Sequence, residues 1–113
     1  MLTLDSLRAW GADVDDGLKR CMNNEAFYLR LVAKAMQDTA FDSLKQAVES
    51  GDPVRGFETA HALKGVTGNL ALTPLDRPVR EITELLRAGT QADCSALLDE
   101  ILARKQELDA LIS

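Results

Sequence analysis

Start and stop signals for helices divide this chain into short stretches whose apolar residues recur at helical spacing, and nothing else in the sequence limits its fold as strongly. Leu4, Leu7 and Trp10 share one face, and Gly11 closes that segment as a C-terminal glycine does. Asp13 offers the next cap, with Asp16 near the positive helix end and Leu18 and Met22 following. Asn23 or Asn24 caps a third segment with a wide apolar face of Phe27, Tyr28, Leu29, Leu31, Val32, Ala35 and Met36. Thr39 with Asp42 opens a fourth, which carries Phe41, Leu44, Ala47 and Val48 as far as Gly51. Asp52-Pro53 is the sharpest signal, a cap followed by proline at the first helical position, where no backbone donor is missed. That helix is expected to run to about Leu72. Thr73-Pro74 repeats the signal for a helix ending at Gly89, with Pro78 near enough to its start to distort or shift it. A last amphipathic helix is expected from about Gln91 to Ile112, through Leu97, Leu98, Ile101, Leu108, Leu111 and Ile112.

With 113 residues the chain is expected to form a single domain, 1–113. Aromatic residues are only 4% of it, so its apolar content is mainly Leu, Ala and Val, which pack helix on helix more readily than they line a sheet. Short connections between neighbouring helices favour an antiparallel arrangement. The expected fold is therefore all-α: an antiparallel up-and-down four-helix bundle with short extra N-terminal helices.

The balance of 18 acidic against 13 basic residues, net −5 with no basic run, argues against a nucleic-acid partner. Met-Leu-Thr-Leu-Asp5 lacks the basic and apolar segments of a signal peptide. No apolar run approaches the roughly 20 residues that span a bilayer. No membrane association is expected, and the cytoplasm is the expected compartment. Cys21 and Cys94 read as reduced thiols rather than a disulfide.

On a wheel of about 100° per residue, the stretch from Val54 to Leu72 separates into two faces. Ala60, Leu63, Val66, Thr67, Leu70 and Ala71 form the core side, with Gly56 among them to let a neighbouring helix come close. Val54, Glu58, His61, Gly65, Gly68 and Leu72 lie opposite, with Phe57 and Lys64 at the edges. Each glycine inside a helix costs about 0.8–1 kcal/mol relative to alanine. Two on an exposed face cost on the order of 2 kcal/mol, a sizeable part of a domain stability of roughly 5–15 kcal/mol. Such a face reads as cleared for the approach of another molecule, although glycines packed against a flanking loop would leave the same pattern.

His61 is the sole histidine of the chain, and most lone histidines are structural or solvated. No Cys, His or carboxylate cluster at ligand spacing surrounds it, which disfavours a metal site. No Ser or Cys nucleophile is recognisably paired with it, which disfavours a hydrolase base. Histidine as the nucleophile itself remains: neutral imidazole attacks phosphorus, and Lys64, one turn on, can neutralise phosphoryl oxygens.

The run Ala60-His61-Ala62-Leu63-Lys64-Gly65-Val66-Thr67-Gly68-Asn69-Leu70 resembles the signature of histidine-containing phosphotransfer (HPt) domains: a histidine, then Leu-Lys-Gly, then Gly-Asn-Leu. Asp13 to Leu18, Ala26 to Leu31 and Glu84-Leu85-Leu86 are similar to further parts of that family, so the likeness covers practically the whole chain. Two positions depart from it. Ala71 stands where the family often has glycine, and Thr67 where a smaller residue is common; the Thr67 hydroxyl is expected to bond back to the Leu63 carbonyl.

The resemblance implies a phosphorelay intermediate. It accepts a phosphoryl group on the Nε2 nitrogen of His61 from the aspartate of a receiver domain and passes it to another receiver. The implied partners are response-regulator receiver domains and a hybrid sensor kinase, with the chain itself a monomer. No cofactor is implied on this chain, and Mg²⁺ is expected on the receiver. Lys64 is then the electrostatic partner of the group, Gly65 and Gly68 provide room, and Val54, Phe57, Glu58 and Leu72 form the docking rim. The chain is expected to be a carrier rather than an enzyme, since it has no glycine-rich nucleotide loop of the GxxxxGK[ST] kind for an autonomous kinase. A helical adaptor that binds a partner through the same face without transfer chemistry is the alternative.

Overall fold

The computed structural model describes residues 1–89 and 94–113, and among these the regular structure is entirely helical. In chain order the helices are α1 (Leu4–Trp10), α2 (Val14–Arg20), α3 (Glu25–Ala35), α4 (Ala40–Glu49), α5 (Pro53–Asn69), α6 (Thr73–Arg87) and α7 (Cys94–Ile112). Most start signals act as the sequence suggests. The side chains of Asp13, Asn24 and Asp52 each accept a hydrogen bond from the backbone N–H three residues on, at 3.2, 3.0 and 3.1 Å. Gly11 (φ 118°) and Gly51 (φ 72°) take the left-handed conformation at two of the helix ends where the chain reverses.

Two starts differ from expectation. Asp38 Oδ1, rather than Thr39, accepts from the first N–H of α4, at 2.8 Å. At α6 the cap position is Leu72, with no side-chain hydrogen bond, so Thr73 is already helical. Pro78 does not shift the start of α6. It is buried inside a helix that runs unbroken from Thr73 to Arg87. The expected start of the last helix at Gln91 lies outside the described residues, and α7 is described from Cys94.

α5 packs against α4 and α6, α6 against α7, and α7 closes the ring on α4. The last turn of α4, the first of α5, the end of α6 and the start of α7 meet around one small recess formed by Val48, Asp52, Pro53, Leu86, Cys94 and Ser95. Four ends at one pole is what antiparallel up-and-down neighbours require. Gly56 sits inside this ring, where a Cβ would meet the Leu86 side chain at 3.2 Å and Ala47 at 3.7 Å. The core draws on every helix, from Leu7 and Val14 through Tyr28, Phe41, Leu63 and Ile82 to Ile101 and Leu108.

The short N-terminal helices close the opposite pole. Trp10 Nε1 donates to Glu107 of α7 at 3.2 Å, and Gly11 lies against Pro74 at the start of α6. The Tyr28 hydroxyl donates to the Leu70 carbonyl at 2.8 Å, and the Asp13 N–H donates to that of Ala71 at 3.0 Å. Carbonyls left open where α5 ends are thus satisfied by residues of the N-terminal third. Burial, then Cys21, Asp13 and Asp16, push the Tyr28 phenol up to about 12. Gly17 makes that burial possible, because a Cβ there would come within 2.6 Å of the tyrosine ring and hydroxyl.

Candidate functional site

α5 carries the site. Pro53 at its start and the Asp52 cap fix its beginning, and Ala60, Leu63 and Thr67 bury one stripe completely. The 100° step then sends His61, four residues from Phe57 and three before Lys64, to the opposite side, where it is exposed. The Phe57 and His61 rings stack with centroids 5.7 Å apart and an interplanar angle of 21°. Arg87 from α6 lies over the Phe57 ring at 5.2 Å. The imidazole is therefore backed on its N-terminal side by an aromatic ring that is itself covered by a cation.

On the C-terminal side His61 opens onto a recess of about 260 Å³ lined by Lys64, Gly65, Gly68, Asn69, Arg20 and Arg80. Three cations converge on one histidine in a chain whose net charge is −5. Arg20 is held through Nε by Asp16 at 3.1 Å, and Arg80 through Nε by Asp76 at 2.6 Å. Their sequence signals were faint: Arg80 stands four residues from Asp76, and α2 and α6 bring both arginines to α5 only in the folded chain. The arrangement suits a doubly negative group on the ring, because fixed donors and positive charge already stand where its oxygens would lie.

The site residues named from the sequence separate into three groups. His61, Lys64, Gly65 and Gly68 line the recess. Val54, 70% exposed, half-buried Phe57 and exposed Glu58 border a second hollow toward the start of α5, beside Arg87. Leu72 belongs to neither and is corrected here: it is fully buried in the core. The wheel placed it outside by continuing α5 to residue 72, whereas the helix ends at Asn69. Ala71 then adopts φ 55°, its N–H donates to the Gly68 carbonyl at 3.1 Å, and that of Leu72 donates to Thr67 at 2.9 Å. These two bonds form a Schellman turn, which reverses the chain and drives Leu72 inward.

Thr67 is also corrected. Its hydroxyl does not bond back to Leu63 but donates to Asp76 Oδ1 at 3.0 Å, linking α5 to the first turn of α6. The two glycines are not equivalent either. Nothing lies within 4 Å of a Cβ built on Gly65, whereas one on Gly68 meets Arg80 Nη2 at 3.4 Å and Asp76 Oδ1 at 3.5 Å. Among the described residues no group of three or more His, Cys, Asp or Glu gathers to hold a metal. Among them also no helix is long and apolar enough to cross a membrane.

A family model described as Hpt domain matches residues 29–113, which takes in α4 to α7 and most of α3. Comparison with curated proteins and with solved structures gave no match.

Proposed function

The chain belongs to the Hpt domain family, and from that premise we propose that it carries a phosphoryl group on His61 between receiver domains. Hpt domains are phosphocarriers of phosphorelays and interact with the receiver domains of response regulators and with kinases. The observation that supports His61 as the carrier here is its position: exposed in the middle of α5, braced by Phe57, and facing a recess lined by Lys64, Arg20 and Arg80.

In the forward step the Nε2 lone pair of neutral His61 attacks the phosphorus of a receiver's aspartyl phosphate in line. The N–P bond forms as the P–O bond to the carboxyl group breaks, and the carboxylate leaves with that electron pair. The ring gives its Nδ1 proton to solvent. Passing the group to a second receiver reverses these changes. Phosphoryl transfer asks mainly for positioning and charge neutralisation. Phe57 sets the ring, Lys64 meets the phosphoryl oxygens, and Gly65 gives the receiver's backbone room to approach. Val54, Phe57 and Glu58 form the rim on which it docks. The receiver supplies the aspartate and the Mg²⁺. The donor receiver is assigned to a hybrid sensor kinase, and the chain acts as a monomer without kinase activity of its own.

Incubation with a phosphorylated receiver tests this reading through the chemistry of the label. A phosphoryl group on a ring nitrogen survives alkali and is lost in acid. A label lost in alkali as well as in acid would place it on a carboxylate and refute the assignment.

A further inference from the structure

Resting on that reading, the geometry points to Arg80 as a second holder of the phosphoryl group on His61, aimed by Asp76 and Thr67. The support runs inward in three steps. Arg80 is 56% exposed at its side chain and would be free to swing, but its Nε donates to Asp76 Oδ2 at 2.6 Å. Asp76 is only 19% exposed, and its other oxygen accepts from the hydroxyl of Thr67, which is wholly buried. The fork then lies across α5 where a side chain is missing, with Nη2 3.4 Å from the position a Cβ on Gly68 would take. Both carboxylate oxygens are engaged, by Arg80 and by Thr67, while the guanidinium lines the recess together with His61 and Lys64. A planar fork fixed at Nε keeps its Nη donors for a phosphate-like anion. Arg20 reaches the same recess, but its partner Asp16 accepts from it at the exposed surface, without a buried support.

This role concerns retention of the group. When phosphohistidine hydrolyses, water attacks phosphorus, the P–N bond breaks, the ring nitrogen keeps the electron pair and takes up a proton, and phosphate leaves. Charge-assisted hydrogen bonds from the Arg80 fork stabilise the phosphoryl dianion while it sits on the ring with no receiver to hold it, and so slow its loss.

The full chain is labelled on His61 with phosphoramidate, freed of donor, and followed as the label decays at neutral pH. Arg80→Gln is expected to shorten the half-life about two- to fivefold, the range of a partly exposed charged contact. Asp76→Ala is expected to shorten it too, although removing an anion beside a dianion would lengthen it if charge alone mattered. Far-UV circular dichroism reports whether each variant keeps its helices. Thr67→Val, which takes only the hydroxyl from Asp76, replaces Asp76→Ala should the latter not fold, and is expected to shorten the half-life as well. An unchanged half-life in Arg80→Gln overturns the assignment. A lengthened one in Asp76→Ala, or an unchanged one in Thr67→Val, overturns the aiming role of Asp76 and Thr67. A wild-type chain that takes no label on His61 overturns the carrier reading itself, and this inference with it.

Discussion

Lys64 and Gly65 are adjacent in sequence, and the proposed chemistry asks opposite things of them. Lys64 is half-buried one turn from His61 and lines the same recess, and in the proposed transfer its ammonium meets the oxygens of an incoming group. Lys64→Ala is expected to slow transfer from a phospho-receiver about tenfold to a hundredfold, corresponding to a charge-assisted contact of about 1.5–3 kcal/mol. A rate unchanged at low salt would remove Lys64 from the mechanism. Gly65 acts by what it lacks. With open space where its Cβ would stand, Gly65→Gln meets nothing at that atom, and an exposed side chain there should stabilise the helix by about 0.5 kcal/mol. Transfer from a receiver should nonetheless fall sharply, while labelling by phosphoramidate, which needs little room, should fall far less. Equal losses with the two donors would place the defect at His61 rather than in docking. Composition and periodicity gave both glycines the same meaning. The structure separates them, because Arg80 from α6 fills the space over Gly68, and no local pattern in α5 reports that.

α5 shows where reading a helix from its sequence succeeds and where it stops. Its start was legible because Asp52 and Pro53 state it in chemical terms. Its outward and inward faces were legible because the 3.6-residue period holds along a regular helix. Its end was not legible, since the residue that takes the left-handed conformation is Ala71 rather than a glycine, and the apolar run Leu70-Ala71-Leu72 continues the pattern without a break. A left-handed non-glycine residue costs about 1–2 kcal/mol, against about 0.8 kcal/mol for the methyl group that Ala71 buries. Ala71→Gly is therefore expected to stabilise the chain by about 0.5–1 kcal/mol, read as a higher urea midpoint at unchanged slope. A loss of stability would mean that the methyl contacts outweigh the backbone strain. The departure of Ala71 from the glycine common in the family thus bears on how α5 ends rather than on the chemistry of His61.

At the scale of the molecule, the four-helix ring followed from palette, punctuation and short connections, all of which are local. The cationic setting of the site did not. Arg20 and Arg80 stand forty-one residues before and nineteen after His61, on helices that reach α5 only through packing. The N-terminal helices are tied to the place where α5 ends by the bonds from Tyr28 and Asp13, and α2 carries Arg20 to the recess. The bundle thus supplies a rigid platform for one exposed imidazole, and its charges are set before a partner arrives. The most direct test of that account is transfer of labelled phosphoryl from a phosphorylated receiver to the wild-type chain and to His61→Gln, with thermal unfolding measured on both. Because His61 is exposed, the substitution should change stability within about 0.5 kcal/mol. The account predicts that the wild type takes the label and that the folded His61→Gln variant takes none; a folded variant that is still labelled would contradict it.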